Sequence, residues 1–160
     1  MKVKSIQDED FVNYYKPSMF IGTCYCDWKC CTENNLPVST CQNHQILSQQ
    51  NIDITNEDIL ARYVANPITQ AVVIGGLEPF KQFEDVLNLI ETFRNNNQFD
   101  EFVIYTGYYP HEIEHAISLL KHYKNIIIKF GRYVPNLPQQ YDCVLQKYLA
   151  SNNQYAIKIS

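Results

Sequence analysis

The sequence predicts an α/β fold, an open, mainly parallel sheet or partial (β/α) barrel of about four to five βα units. Two observations point there. Short continuous apolar runs, the mark of strands buried on both faces, recur along the chain, and stretches with apolar residues at helical spacing separate them. A third concerns loops: a cysteine-rich segment, a glycine pair and a Thr-Gly turn each follow an apolar run directly. In a parallel sheet that places them side by side at the carboxyl ends of the strands, where α/β folds bind ligands.

Taken in order, Pro17-Ser18-Met19-Phe20-Ile21-Gly22 reads as a buried strand closed by glycine and feeding the cysteine loop. A helix begins after Thr55, an N-cap with Asp58 three residues on; Ile59, Leu60, Tyr63 and Val64 form its apolar face, and Asn66-Pro67 ends it. Ala71-Val72-Val73-Ile74 is the second strand. Beyond Gly75-Gly76, the spacing of Phe83, Val86, Leu87, Ile90 and Phe93 predicts a helix that stops at Asn95-Asn96-Asn97. Phe102-Val103-Ile104-Tyr105 is the third strand. A helix with Ile113, Ala116, Ile117 and Leu120 facing inward follows, and Ile126-Ile127-Ile128 is the fourth strand. Four such units are too few to close an eight-stranded barrel.

A chain of 160 residues, 46% of them hydrophobic, can bury one sizeable core, so residues 1–160 are expected to form a single domain. The net charge of −4 is spread along the chain without a basic stripe, which argues against a nucleic-acid partner. Neither a secretory leader nor an apolar run approaching about 20 residues is present, so a soluble cytoplasmic protein with no membrane partner is expected.

In a reducing compartment, clustered cysteines point to metal or redox chemistry rather than disulfides. Cys24, Cys26, Cys30, Cys31 and Cys41 are clustered, whereas Cys143 stands apart and reads as a small buried apolar residue. Structural zinc sites favour cysteine pairs two residues apart, which this chain lacks, and His44, His111, His115 and His122 show no zinc pairing with the cysteines. Iron–sulfur clusters accept more varied spacings, including three-cysteine arrangements that leave one iron open.

Cys26-Asp27-Trp28-Lys29-Cys30 resembles the first half of the radical S-adenosylmethionine signature. The family's third cysteine follows two residues later, where this chain has Glu33; Cys41-Gln42-Asn43 instead resembles the end of that motif in the activating proteins of anaerobic ribonucleotide reductase, with Cys31 to Thr40 as an insertion. Gly75-Gly76-Leu77-Glu78-Pro79 is similar to the family's Gly-Gly-Glu-Pro with one extra residue, Leu77. Ile104-Tyr105-Thr106-Gly107-Tyr108, Ile127-Ile128-Lys129-Phe130 and Ser151-Asn152-Asn153-Gln154 resemble later segments of the activating proteins, in the right order.

The resemblance implies a [4Fe–4S] cluster on Cys26, Cys30 and Cys41, with Cys24 and Cys31 as substitutes. It also implies an S-adenosyl-L-methionine site at Gly75, Gly76, Glu78 and Thr106. The activity implied is a radical oxidoreductase that forms a glycyl radical on a large partner enzyme such as anaerobic ribonucleotide reductase, with flavodoxin or ferredoxin as electron donor. Two alternatives stand beside it: a radical enzyme acting on a small molecule or nucleobase, and a non-catalytic iron–sulfur or zinc module, favoured by Glu33 and Leu77.

Overall fold

The computed structural model describes residues 1–160. Its strands and helices run β1 (Lys2–Val3), β2 (Ser5–Asp10), β3 (Ser18–Thr23), α1 (Lys29–Thr32), β4 (Ile52–Asp53), α2 (Asn56–Ala65) and β5 (Ala71–Gly76). They continue with α3 (Phe83–Asn95), β6 (Glu101–Tyr105), α4 (Glu114–Leu120), β7 (Ile126–Phe130), β8 (Gln140–Asp142), β9 (Lys147–Leu149) and β10 (Tyr155–Lys158). Six strands form one open sheet in the order β10-β7-β6-β5-β3-β2. The central β3, β5, β6 and β7 are parallel, and β2 and β10 are antiparallel edges.

Alternation along the parallel strands divides their residues between two layers. Met19, Ile21, Val72, Ile74, Phe102, Ile104, Ile126 and Ile128 pack with Ile59 and Tyr63 of α2, Val86, Leu89, Ile90 and Phe93 of α3, and Leu120 of α4. Phe93 meets Phe102 edge-on at 5.1 Å. The opposite residues, Val73, Val103 and Ile127, pack under Tyr14 from the β2–β3 loop and Leu145 and Leu149 from the β8–β9 hairpin. α2, α3 and α4 therefore cover one face. The other carries Tyr14 and the β8–β9 hairpin.

The Thr55 side chain accepts the Asp58 N–H at 3.0 Å, and α2 starts there. Two expectations are corrected. Val64 is 57% exposed, because the buried stripe of α2 runs through Ile59, Leu60 and Tyr63 and turns away before the last residue of the pattern. Cys143 is exposed, because it sits in the turn between β8 and β9, where the neighbouring Asp142 is the buried residue. The Asp142 carboxylate accepts N–H bonds from Val144, Leu145 and Ala156, and so fixes that turn against the sheet.

Candidate metal centre

A cavity of about 320 Å³ opens at the carboxyl ends of the parallel strands, near the lower end of the size range of about 300–1,000 Å³ typical of ligand sites. Gly75 makes its floor: a Cβ there would stand 3.3 Å from the Phe20 ring and 3.4 Å from Tyr105 Cβ. At Gly76 the backbone is left-handed (φ 84°), and a Cβ would come within 3.1 Å of Gly22 Cα on β3. Only glycine meets both demands.

The cysteine loop forms one wall. Trp28 has a left-handed backbone (φ 59°) that turns the chain into the single turn of α1, and its N–H points at Cys26 Sγ from 3.3 Å. Cys30 and Cys31 follow on α1 with their sulfurs 3.7 Å apart. Both ends of the loop are bonded to the glycine segment: the Glu78 N–H donates to Tyr25 O at 2.7 Å, and Asn43 Nδ2 donates to Gly76 O at 2.6 Å.

The thiols are not equivalent. A hydrogen bond from Cys30, the Asn43 backbone N–H and the nearby His44 hold Cys41 down at about 6, against the opposing effect of burial. Cys30, the donor in that pair, is pushed up for the same reason. Burial raises Cys26 to about 11, although the Trp28 N–H opposes it. Cys41 is therefore the most readily ionised of the three, and metal must displace protons from the others.

Facing the cysteines are strand-end polar groups. Glu78 is 5% exposed; its Oε1 accepts from Thr106 Oγ1 at 2.8 Å and from the Phe80 N–H at 3.1 Å, and its Oε2 accepts from the Gly107 N–H at 2.9 Å. Burial pushes its carboxyl up to about 7. Lys129, beside Tyr105 in register on β7, is also buried, and its ammonium donates to Gly131 O at 3.1 Å. Burial lowers it to about 8, with Glu78 opposing.

An ion network ties the cysteine loop to the strand ends from outside. Arg132 is 4% exposed and grips Glu112 with two bonds of 2.7 and 2.8 Å while reaching Glu33 at 2.9 Å. Lys29 also pairs with Glu112 at 2.8 Å, and the Tyr108 hydroxyl donates to Asp27 at 2.5 Å. Glu33, which stands where the resembling motif has a cysteine, is thus an anchor of the loop.

Cys26, Cys30, Cys41, Gly75, Gly76, Glu78 and Thr106, all singled out in the sequence, line this one cavity. Of the two substitutes, Cys31 lines it and Cys24 does not; Cys24 lies toward Lys2, Lys4, Asp53 and Asp85, with its N–H on Gln82 at 2.8 Å. Sequence reasoning passed over Lys129 and Arg132 as functional groups. A signal existed for the first: a lysine between Ile128 and Phe130 interrupts an otherwise apolar strand. For Arg132 there was none, since its partners are distant in sequence.

A family model described as a 4Fe-4S single cluster domain matches residues 16–156. The chain belongs to that family. No curated protein matches the chain. As a 4Fe-4S single cluster domain the protein needs several thiolates spread around a cubane, each on its own iron. No three His, Cys, Asp or Glu side chains converge closely enough to cage a single ion. Cys26, Cys30, Cys31 and Cys41 all line the cavity and could supply those thiolates.

The buried Glu78 carboxyl has a measurable consequence. Its folded value of about 7 lies above the ordinary 4.5, so between these limits the folded protein holds a proton that the unfolded chain has released. Stability contributed by this group is full below about pH 4.5 and falls as pH rises to about 7. Chemical denaturation across that window should show Glu78→Gln losing less stability with rising pH than the native protein; parallel curves would refute this.

Proposed function

We propose that this 4Fe-4S single cluster domain is a radical S-adenosylmethionine activase that forms a glycyl radical on a large partner enzyme such as anaerobic ribonucleotide reductase. The observation that carries the reading is one cavity with thiols on one wall and a glycine pair, a buried carboxylate and a buried amine on the strand ends facing them. Cys26, Cys30 and Cys41 are the cluster ligands in this reading. Gly75 and Gly76 let the cofactor lie against the backbone. Glu78 Oε2, with one N–H donor from Gly107, keeps a lone pair for the cofactor's ammonium group, while Thr106 and Phe80 hold Oε1 and fix the carboxylate plane. Lys129 offers its ammonium to the carboxylate of the same amino acid end.

A cluster held by Cys26, Cys30 and Cys41 would supply one electron for reductive cleavage of the cofactor's sulfonium, and a glycine of the partner would give up the hydrogen. Flavodoxin or ferredoxin in an anaerobic cytoplasm would supply that electron. The cavity is lined at its edge by the exposed Val12 and Tyr148, apolar surface that a segment of the partner could cover.

The test is anaerobic reconstitution with iron and sulfide, reduction by dithionite and addition of S-adenosylmethionine. The expected products are 5′-deoxyadenosine and methionine; a reducible cluster that leaves the cofactor intact would replace this reading with a non-catalytic iron–sulfur module. In the same preparation Lys129→Met should retain its cluster but bind the cofactor roughly tenfold or more weakly, the loss of one charge-assisted bond of about 1.5–3 kcal/mol. Titration of the cofactor against the EPR spectrum of the reduced cluster measures it, and unchanged affinity would remove Lys129 from the site.

A further inference from the structure

We infer that Cys31 is a fourth, displaceable ligand of the cluster, closing the iron that Cys26, Cys30 and Cys41 leave open. The inference rests on those three as the other ligands, and it adds a residue that neither the motif nor the family description assigns. Adjacent cysteines ordinarily point in different directions, yet Cys31 Sγ lies 3.7 Å from Cys30 Sγ. The left-handed backbone of Trp28 sets the start of α1 so that both side chains reach the same cavity.

Cys31 is 2% exposed and lines that cavity. Its backbone carbonyl accepts the N–H groups of Asn34 and Leu36, which pins the turn behind it. Four irons then meet four thiols, the commonest complement for a cubane. On loading, the two sulfurs move apart to separate corners. Any ligand that needs the fourth iron must first displace Cys31, so the insertion from Cys31 to Thr40 guards the open position.

The chemistry that reveals a non-cysteine corner is oxidative loss of its iron. Ferricyanide removes one electron from a [4Fe–4S]²⁺ cluster, and departure of Fe²⁺ leaves a paramagnetic [3Fe–4S]⁺ cluster with its own EPR signal. Native protein and Cys31→Ala should be reconstituted anaerobically and treated with ferricyanide without added cofactor. The native cluster is expected to resist conversion, whereas Cys31→Ala should develop the three-iron signal. Equal conversion in both, or in neither, overturns the fourth ligand and leaves the cluster reading intact. Loss of the whole cluster in Cys31→Ala also overturns it, because Cys31 would then be an obligatory ligand. Should that variant fail to fold, Cys31→Ser decides the matter with an intermediate rate of conversion expected and a native rate contrary. Retention of a full cluster by Cys26→Ala, Cys30→Ala and Cys41→Ala would instead strike the underlying ligand assignment.

Discussion

Cys30→Ala should lose nearly all of its iron on anaerobic reconstitution, and Cys26→Ala and Cys41→Ala should do the same. Each change removes a thiolate from the single cavity in which the loop gathers its sulfurs. Cys30 is the severest case because its sulfur is 3.7 Å from Cys31 and its proximity lowers Cys41. Loss of Cys30 therefore removes a ligand and also the group that favours ionisation of Cys41. Cys143→Ala should keep the full cluster, since Cys143 is exposed in the β8–β9 turn, and Cys24→Ala should keep it because Cys24 does not line the cavity. Iron content and cluster EPR decide the outcome: retention in Cys30→Ala together with loss in Cys24→Ala would move the centre out of the cavity.

Arg132→Met should destabilise the protein by about 1.5–3 kcal/mol, the range for losing hydrogen bonds to a charged group. Arg132 is 4% exposed and Glu112 only 16% at its side chain, so losing the guanidinium leaves a poorly solvated carboxylate with Lys29 as its remaining cationic partner. The consequence extends beyond stability. Glu33 loses its tether, and the stretch between Cys31 and Cys41 is then held to the strand ends mainly through Asn43. The reconstituted variant should release iron in air several times faster than native protein, while Arg132→Lys, which keeps a charge but not the two-pronged grip, should fall between. Native release rates in Arg132→Met would show that the network does not position the loop. Acid should mimic the mutation, because Arg132 and Lys29 hold the Glu112 carboxyl well below the usual range. Stability from this group is present above the ordinary carboxyl range and is lost as pH falls through it and below.

The strands and helices were largely legible in the sequence because their periodicities are local. Apolar runs such as Ala71–Ile74 and Ile126–Ile128 became strands of the parallel sheet, and Thr55 capped its helix as its side-chain chemistry requires. The meeting of the cysteine loop, Gly75-Gly76 and Thr106-Gly107 was also foreseeable, since successive parallel strands send their carboxyl ends to one edge. What escaped was the edge strand β2, the short β1, β4 and α1, and the closing part of the chain. β8, β9 and β10 are short, and their pairings are antiparallel and set by Asp142, whose three N–H partners no local pattern reveals.

By itself the sequence determined the order of βα units, the clustering of cysteines in residues 24–41 and the edge at which the three loops meet, because each depends on residue type and short-range spacing. Tertiary structure alone decided which sulfurs share a cavity, that Glu78 is buried, that Lys129 lines the same cavity and that Arg132 ties Glu33 of the cysteine loop to Glu112. Those facts depend on burial and on contacts between residues up to 99 positions apart, as in the Arg132–Glu33 pair. A charge or thiol acquires its reactivity from such neighbours, and spacing along the chain carries no record of them.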